Sequence, residues 1–213
     1  MSKVIYILVL ICSSLSLAAP EKVTVHQVIN KYRNSPAVMM NLNKTVKMKL
    51  LGETQKSSGS LYLSSNKMRY EIKKPEKNLV VVNDKSIWIE NRLPKNLGGK
   101  IQVTHLKTKT GQDKVKGFLA AFFGNRNIKD DMAFEKIDES NYKITFKKKS
   151  KIKDLKSAKI GIDQEGETIT YLEYEDKISN ITRHDFSGVN FQKSKDVSKF
   201  SYTPPKNADV TEM

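Results

Sequence analysis

In Lys67-Met68-Arg69-Tyr70-Glu71-Ile72-Lys73 the apolar Met68, Tyr70 and Ile72 alternate with charged neighbours. A period of two belongs to an extended strand with one face in water and one in a core. The alternation recurs on both sides. Val46, Met48 and Leu50 stand against Thr45, Lys47 and Lys49, and Tyr142, Ile144 and Phe146 against Lys143, Thr145 and Lys147. Shorter runs predict further strands at Leu61 to Leu63, Leu79 to Val82, Ile87 to Ile89, Ile101 to Val103, Ala158 to Ile162, Ile169 to Tyr174 and Lys177 to Phe186. The separators Asn83-Asp84-Lys85, Asp138-Glu139-Ser140-Asn141, Gln164-Glu165-Gly166-Glu167 and Glu175-Asp176 are short and polar, as hairpin turns are. About ten strands at such spacing predict one large curved sheet or barrel, antiparallel and mostly sequential, rather than a mixed α/β fold.

Two segments follow the helical period instead. Val25, Val28, Ile29 and Tyr32 share one helix face, with Thr24 as cap and an end before Pro36. From Gln112 to Phe123 the residues Val115, Phe118, Leu119 and Phe122 fall at i, i+3, i+4 and i+7, and Gly124 stands where a helix would stop. These two helices are the natural cover for one open side of the sheet.

The N-terminus sets the compartment. Lys3 precedes an unbroken apolar run from Val4 to Cys12 and then small residues, the pattern of a secretory signal peptide. Ser16-Leu17-Ala18 places cleavage after Ala18, which predicts a signal at 1–18 and a single exported domain over 19–213. Cys12 is the only cysteine and leaves with the signal, so the mature chain is read without disulfide, thiol nucleophile or thiolate ligand. The net charge is +15, and arginine occurs only at 33, 69, 92, 126 and 183, so lysine dominates. Lysine is a hydrated point charge rather than a bidentate fork, which favours approach to anionic surfaces over base reading.

Chemistry-bearing patterns are missing from the sequence. His26, His105 and His184 are widely separated, and there is neither a Gly-x-Ser-x-Gly elbow nor a His-Glu-x-x-His helix. Gly98-Gly99-Lys100 lacks the rest of a phosphate loop and reads as a turn, while Asp130-Asp131 reads as a solvated loop. Lys147-Lys148-Lys149 with Lys151 and Lys153 reads as a solvated loop between strands rather than a nucleic-acid site. The expectation is therefore a non-enzymatic protein without metal, cofactor or nucleic-acid partner.

Four stretches together resemble the LolA family of lipoprotein carriers. Gly59-Ser60-Leu61-Tyr62-Leu63 with Met68-Arg69-Tyr70-Glu71 and Pro75 is similar to its Gly-x-Leu strand pair, and Val80 to Ile89 to its hairpin leading into Leu-Trp. Phe118 to Phe123 takes the place of its lid helix, and Phe200 to Val210 that of its closing Phe-x-Phe-x-Pro-Pro strand. The resemblance implies a mainly β fold, an incomplete, unclosed antiparallel β-barrel with a lid of short α-helices over an apolar cavity.

It also implies a monomer that binds acylated lipoproteins, takes them from an inner-membrane lipoprotein-releasing ABC transporter and yields them to an outer-membrane receptor. A sensing or docking module of the same fold is the alternative. On periodicity alone Met48, Leu50, Leu61, Leu63, Met68, Tyr70, Ile72, Val80, Val82, Ile87 and Ile89 read as ordinary core. The resemblance makes them the sheet side of an under-filled acyl-chain cavity, with Phe118, Leu119 and Phe122 as the lid side. Two departures stand out. Ser64-Ser65-Asn66 replaces the family's usual Lys-Arg-Pro, whose arginine holds the lid, and Lys85 replaces a turn glycine.

Overall fold

The computed structural model describes residues 24–65, 67–107, 119, 122–123, 132–147, 154–163 and 165–213. The chain opens with helix α1 (Val25–Asn34), which buries Val25, Val28, Ile29 and Tyr32 as their spacing predicts. Thr24 and Gln27 cap it reciprocally: the Gln27 amide donates to the Thr24 hydroxyl (3.3 Å), and the Thr24 amide donates to the Gln27 side chain (2.6 Å).

The strands that follow are β1 (Ala37–Met48), β2 (Glu53–Ser64), β3 (Lys67–Lys74), β4 (Asn78–Val82), β5 (Ser86–Arg92), β6 (Ile101–Lys107), β7 (Met132–Lys136), β8 (Asn141–Phe146), β9 (Leu155–Ile162), β10 (Ile169–Asp176), β11 (Ile181–Gln192) and β12 (Ala208–Glu212). All twelve described strands lie in one sheet in the order β12-β6-β5-β4-β3-β2-β1-β11-β10-β9-β8-β7. The edge strands β12 and β7 do not pair with each other, so the sheet is open. The order runs outward from β1 to β6 along one wing and inward from β7 to β11 along the other, and the wings join where β1 pairs with β11.

One polar device makes four of the hairpins. Asn83 accepts through its side chain from the amides of Lys85 (3.1 Å) and Ser86 (2.9 Å). Asp138 accepts likewise from Ser140 and Asn141, Asp163 from Glu167 and Thr168, and Asp176 from Ile178 and Asn180. An Asx side chain in these turns takes over the role of a backbone turn, which is how the chain dispenses with the glycine expected at Lys85.

Two features depart from the sequence reading. The pairing is antiparallel throughout except at β12, which lies parallel to β6. The run from Phe200 to Val210 is also not one strand. Residues Val197–Phe200 form a 3-10 turn, the chain then crosses the outer face, and pairing begins at Ala208. On that outer face Phe200 is buried, the Tyr202 hydroxyl donates to Glu90 (2.6 Å) and Trp88 stacks on His105 (3.6 Å between ring centres). Similarly, the strand expected from Lys177 starts at Ile181, because Asp176 bends residues 177–180 into a turn.

Gly59 has a packing reason. The register slips between Ser58 and Gly59 where β2 meets β3, and a Cβ at this position would overlap the Glu71 carbonyl oxygen. The backbone of β3 cannot yield without breaking its pairing with β4. Gly59→Ala is therefore expected to destabilise the protein by about 2–4 kcal/mol, read by chemical denaturation. A loss below about 0.5 kcal/mol would show that β3 shifts freely there.

Candidate functional site: the concave face

Cross-strand register gathers most of the residues singled out in the sequence. Val38, Leu63, Met68, Val82 and Ile87 form one row across β1 to β5, and Met40, Leu61, Tyr70, Val80 and Ile89 form the next. Ile72 lies one step further, opposite Gly59. Directly paired residues share a face, so these rows floor one concave surface. The other wing continues it through Leu42 and Phe186, then Leu172, Ile160 and Tyr142. Met40, Leu42, Phe186 and Ile160 are additions to the residues that the sequence assigns to the cavity. Met40 ends the run Val38-Met39-Met40, which is too uniformly apolar to show an alternation, and Leu42 follows it.

Two assignments are corrected. Leu50 is 81% exposed in the turn between β1 and β2, outside the core. Met48 ends β1 opposite Glu53 and lines an open cleft with Lys47, Lys49 and Ile181. The β1–β2 hairpin runs on past the bowl, and alternation persists in sequence after there is nothing left to pack against.

Of the expected cover helix, Phe118 lies outside the described residues. Leu119, Phe122 and Phe123 have helical backbone and are buried in the same core as the floor, Phe122 with no exposure. Phe123 meets Tyr32 of α1 (5.8 Å between ring centres) and Phe186 of the floor (6.2 Å). These three described side chains thus share the core with the face expected to stand under-filled. Two clefts lined by described residues, of about 220 and 390 Å³, lie beside Ser64 and Phe200 and at the β1–β2 hairpin end.

The Arg33 guanidinium of α1 donates to the Phe122 carbonyl (3.0 Å), and burial draws its pKa down to about 10. Arg33 thus joins α1 to Phe122, whereas Ser64-Ser65-Asn66 stands where the resembled family's usual pattern has its arginine. Ser64 instead donates to the Pro36 carbonyl (2.7 Å). Tyr32 fixes α1 itself, its hydroxyl accepting from the buried Ile169 amide (2.9 Å). Burial chiefly raises the Tyr32 pKa, so the phenol stays neutral.

At one end of the bowl the polarity changes. His184 of β11 is 2% exposed, shares a 3.3 Å hydrogen bond with the Tyr70 hydroxyl and stacks between Tyr174 and Phe186. Its pKa is pushed down to about 3, first by burial and then by Lys44. Among the described residues no group of three or more His, Cys, Asp or Glu is placed to hold a metal ion.

The model of a family described as outer membrane lipoprotein carrier protein LolA matches residues 33–203. An outer-membrane lipoprotein carrier protein of Dechloromonas aromatica (strain RCB) is 26% identical over 157 residues, covering 73% of this chain and 72% of that protein. Among solved structures, an uncharacterized conserved protein from Thermus thermophilus shares the fold, with a TM-score of 0.51 at 12% identity over 88% of this chain and 98% of that one. The LolA superfamily protein NE2245 from Nitrosomonas europaea gives a TM-score of 0.45 at 11% identity over 84% and 98%.

Proposed function

Because the chain belongs to the LolA family of outer membrane lipoprotein carriers, we propose that it is a periplasmic chaperone that holds lipoprotein acyl chains against its concave face and carries them from an inner-membrane ABC transporter to a receptor at the outer membrane. Acylated lipoproteins are its cargo in this reading, and residues 1–18 are its cleaved signal. The supporting observation is the composition of the bowl. An apolar floor of Leu61, Leu63, Met68 and Ile72 is covered by Leu119, Phe122 and Phe123, which come from a separate segment of the chain rather than from closure of the sheet.

Carrying an acyl chain through water requires that each methylene stay covered, at about 0.8 kcal/mol per group, so a chain of roughly fifteen needs about 12 kcal/mol of apolar contact. In the empty protein the cover supplies that contact to the floor. Cargo replaces it, and the exchange of one apolar partner for another is close to neutral. That lets the cargo be taken from a bilayer and handed on. Met68 and Met40 can repack around chains of different shape.

The test is to purify the mature protein from a periplasm and identify what accompanies it. Acylated N-terminal peptides in the mass spectrum are the expected result. A protein that repeatedly emerges free of acylated material, from cells in which lipoproteins are abundant, would contradict the proposal.

A further inference from the structure

Lys44 interrupts the apolar side of β1. Val38, Met40 and Leu42 precede it on the concave face and Val46 follows, so it stands where the buried rows end and the open hairpin begins. It faces His184 across β11 and Ser57 across β2. Its side chain is half-buried, and no carboxylate among the described residues lies within ion-pair distance of it. Burial lowers its pKa, with no acidic neighbour acting against the shift. Beside it, His184 bonds to Tyr70 through Nε2, while Nδ1 is buried without a partner among the described residues. Where Nε2 accepts from the tyrosine, Nδ1 carries the proton and has a donor to offer.

A desolvated ammonium and an unmatched imidazole donor, paired across two strands at the rim of an apolar bowl, lack one thing: a negative charge between them. A protein-borne carboxylate would have met that need, and none among the described residues does. We propose that Lys44 and His184 form a headgroup site for an anionic amphiphile, a carboxylate or phosphomonoester attached to an acyl chain that lies along Leu42, Met40 and Leu61. The inference rests on the reading that the concave face accepts acyl chains, and it adds selection by charge at the mouth. The ammonium neutralises the head at the boundary with water while the tail fills the interior. Neutral lipids gain only the second of these interactions.

The test is displacement of a fluorescent hydrocarbon probe at pH 8 by palmitate, lysophosphatidate, neutral monopalmitin and inorganic phosphate, each below its aggregation threshold. The wild-type protein should bind the two anionic amphiphiles about tenfold more tightly than monopalmitin, the worth of one charged hydrogen bond. Lys44→Met should remove that preference by weakening the anionic ligands alone, and Lys44→Arg should keep it. Phosphate by itself should displace nothing. Equal binding of charged and neutral amphiphiles, or a preference that survives Lys44→Met, overturns the headgroup site while leaving acyl-chain binding intact. Displacement by inorganic phosphate overturns the assignment of an amphiphile. Failure of every amphiphile to displace the probe overturns this inference together with the carrier reading.

Discussion

Phe122→Ala should lower the free energy of unfolding by about 3–5 kcal/mol and at the same time raise the affinity for an apolar probe by about tenfold. The first effect follows from burial alone. Phe122 has no exposed surface and packs edge-on against Phe123 (5.1 Å between ring centres), so truncation leaves a cavity that rigid strands on the far side cannot collapse into. The second effect separates a cover from a core. If cargo enters by displacing this ring, wild-type protein surrenders the ring's contacts each time it binds, and the variant has surrendered them already. A cavity opened within the core that also holds Met40, Leu61 and Phe186 is apolar and stays dry until hydrocarbon fills it. The two measurements are made on one sample, by denaturant titration with and without the probe. Loss of stability with no gain in probe binding would mark Phe122 as ordinary core and weaken the carrier proposal at its centre.

The legible parts of this fold are those where water touches one side. Residues 67–73 and 141–147 alternate because lysines face out, and both form strands as their period predicts. The helix at 25–34 is legible for the same reason, together with its Thr24 cap. Where both sides are covered, or neither, the pattern fails. The start of β1 is hidden because Val38, Met39 and Met40 are apolar in succession, and β12 because Val210 is half exposed and its partner strand β6 is remote in sequence. Leu50 deceives because alternation carries no information about where the bowl ends.

The site divides along the same line. The part of its floor on β2 to β5 can be read from alternation and hairpin order, whereas Met40 and Leu42 on β1 cannot. The tie from Arg33 to Phe122, the Tyr32 anchor and the Lys44–His184 pair cannot, because each joins segments that only the folded topology brings together. Among the described residues, polar groups stand at the edges and seams of the bowl, which leaves its floor apolar.

His184 makes the protein acid-sensitive in a way that a single substitution should remove. An imidazole in the unfolded chain takes up a proton near pH 6.5, whereas in the fold burial and the facing Lys44 hold its pKa at about 3. Between those values the unfolded state binds one more proton than the folded state, so stability falls as pH falls, by about 1.4 kcal/mol per unit. Above pH 6.5 both states are neutral and the group contributes nothing to the slope. The groups that face it are Lys44, Tyr70 and Tyr174, and none is a carboxylate that could welcome the charge. Summed over the window, the loss between the unfolded and folded pKa values is roughly 3–5 kcal/mol, a large share of the stability of a domain this size. Carboxylates held low elsewhere, such as Asp163, whose burial is outweighed by hydrogen bonds from Thr168 and Glu167, lose stability from about pH 4 downward, at the acid end of this window, so the wild-type slope alone does not isolate the histidine. His184→Gln does. It keeps a hydrogen-bonding partner for Tyr70 and does not titrate, so denaturant curves at about pH 7, 5 and 3.5 should show a shallower acid loss in the variant by most of that amount. Parallel pH profiles for the two proteins would mean that the imidazole is charged in the fold, and that the end of the bowl is wetter than its burial indicates.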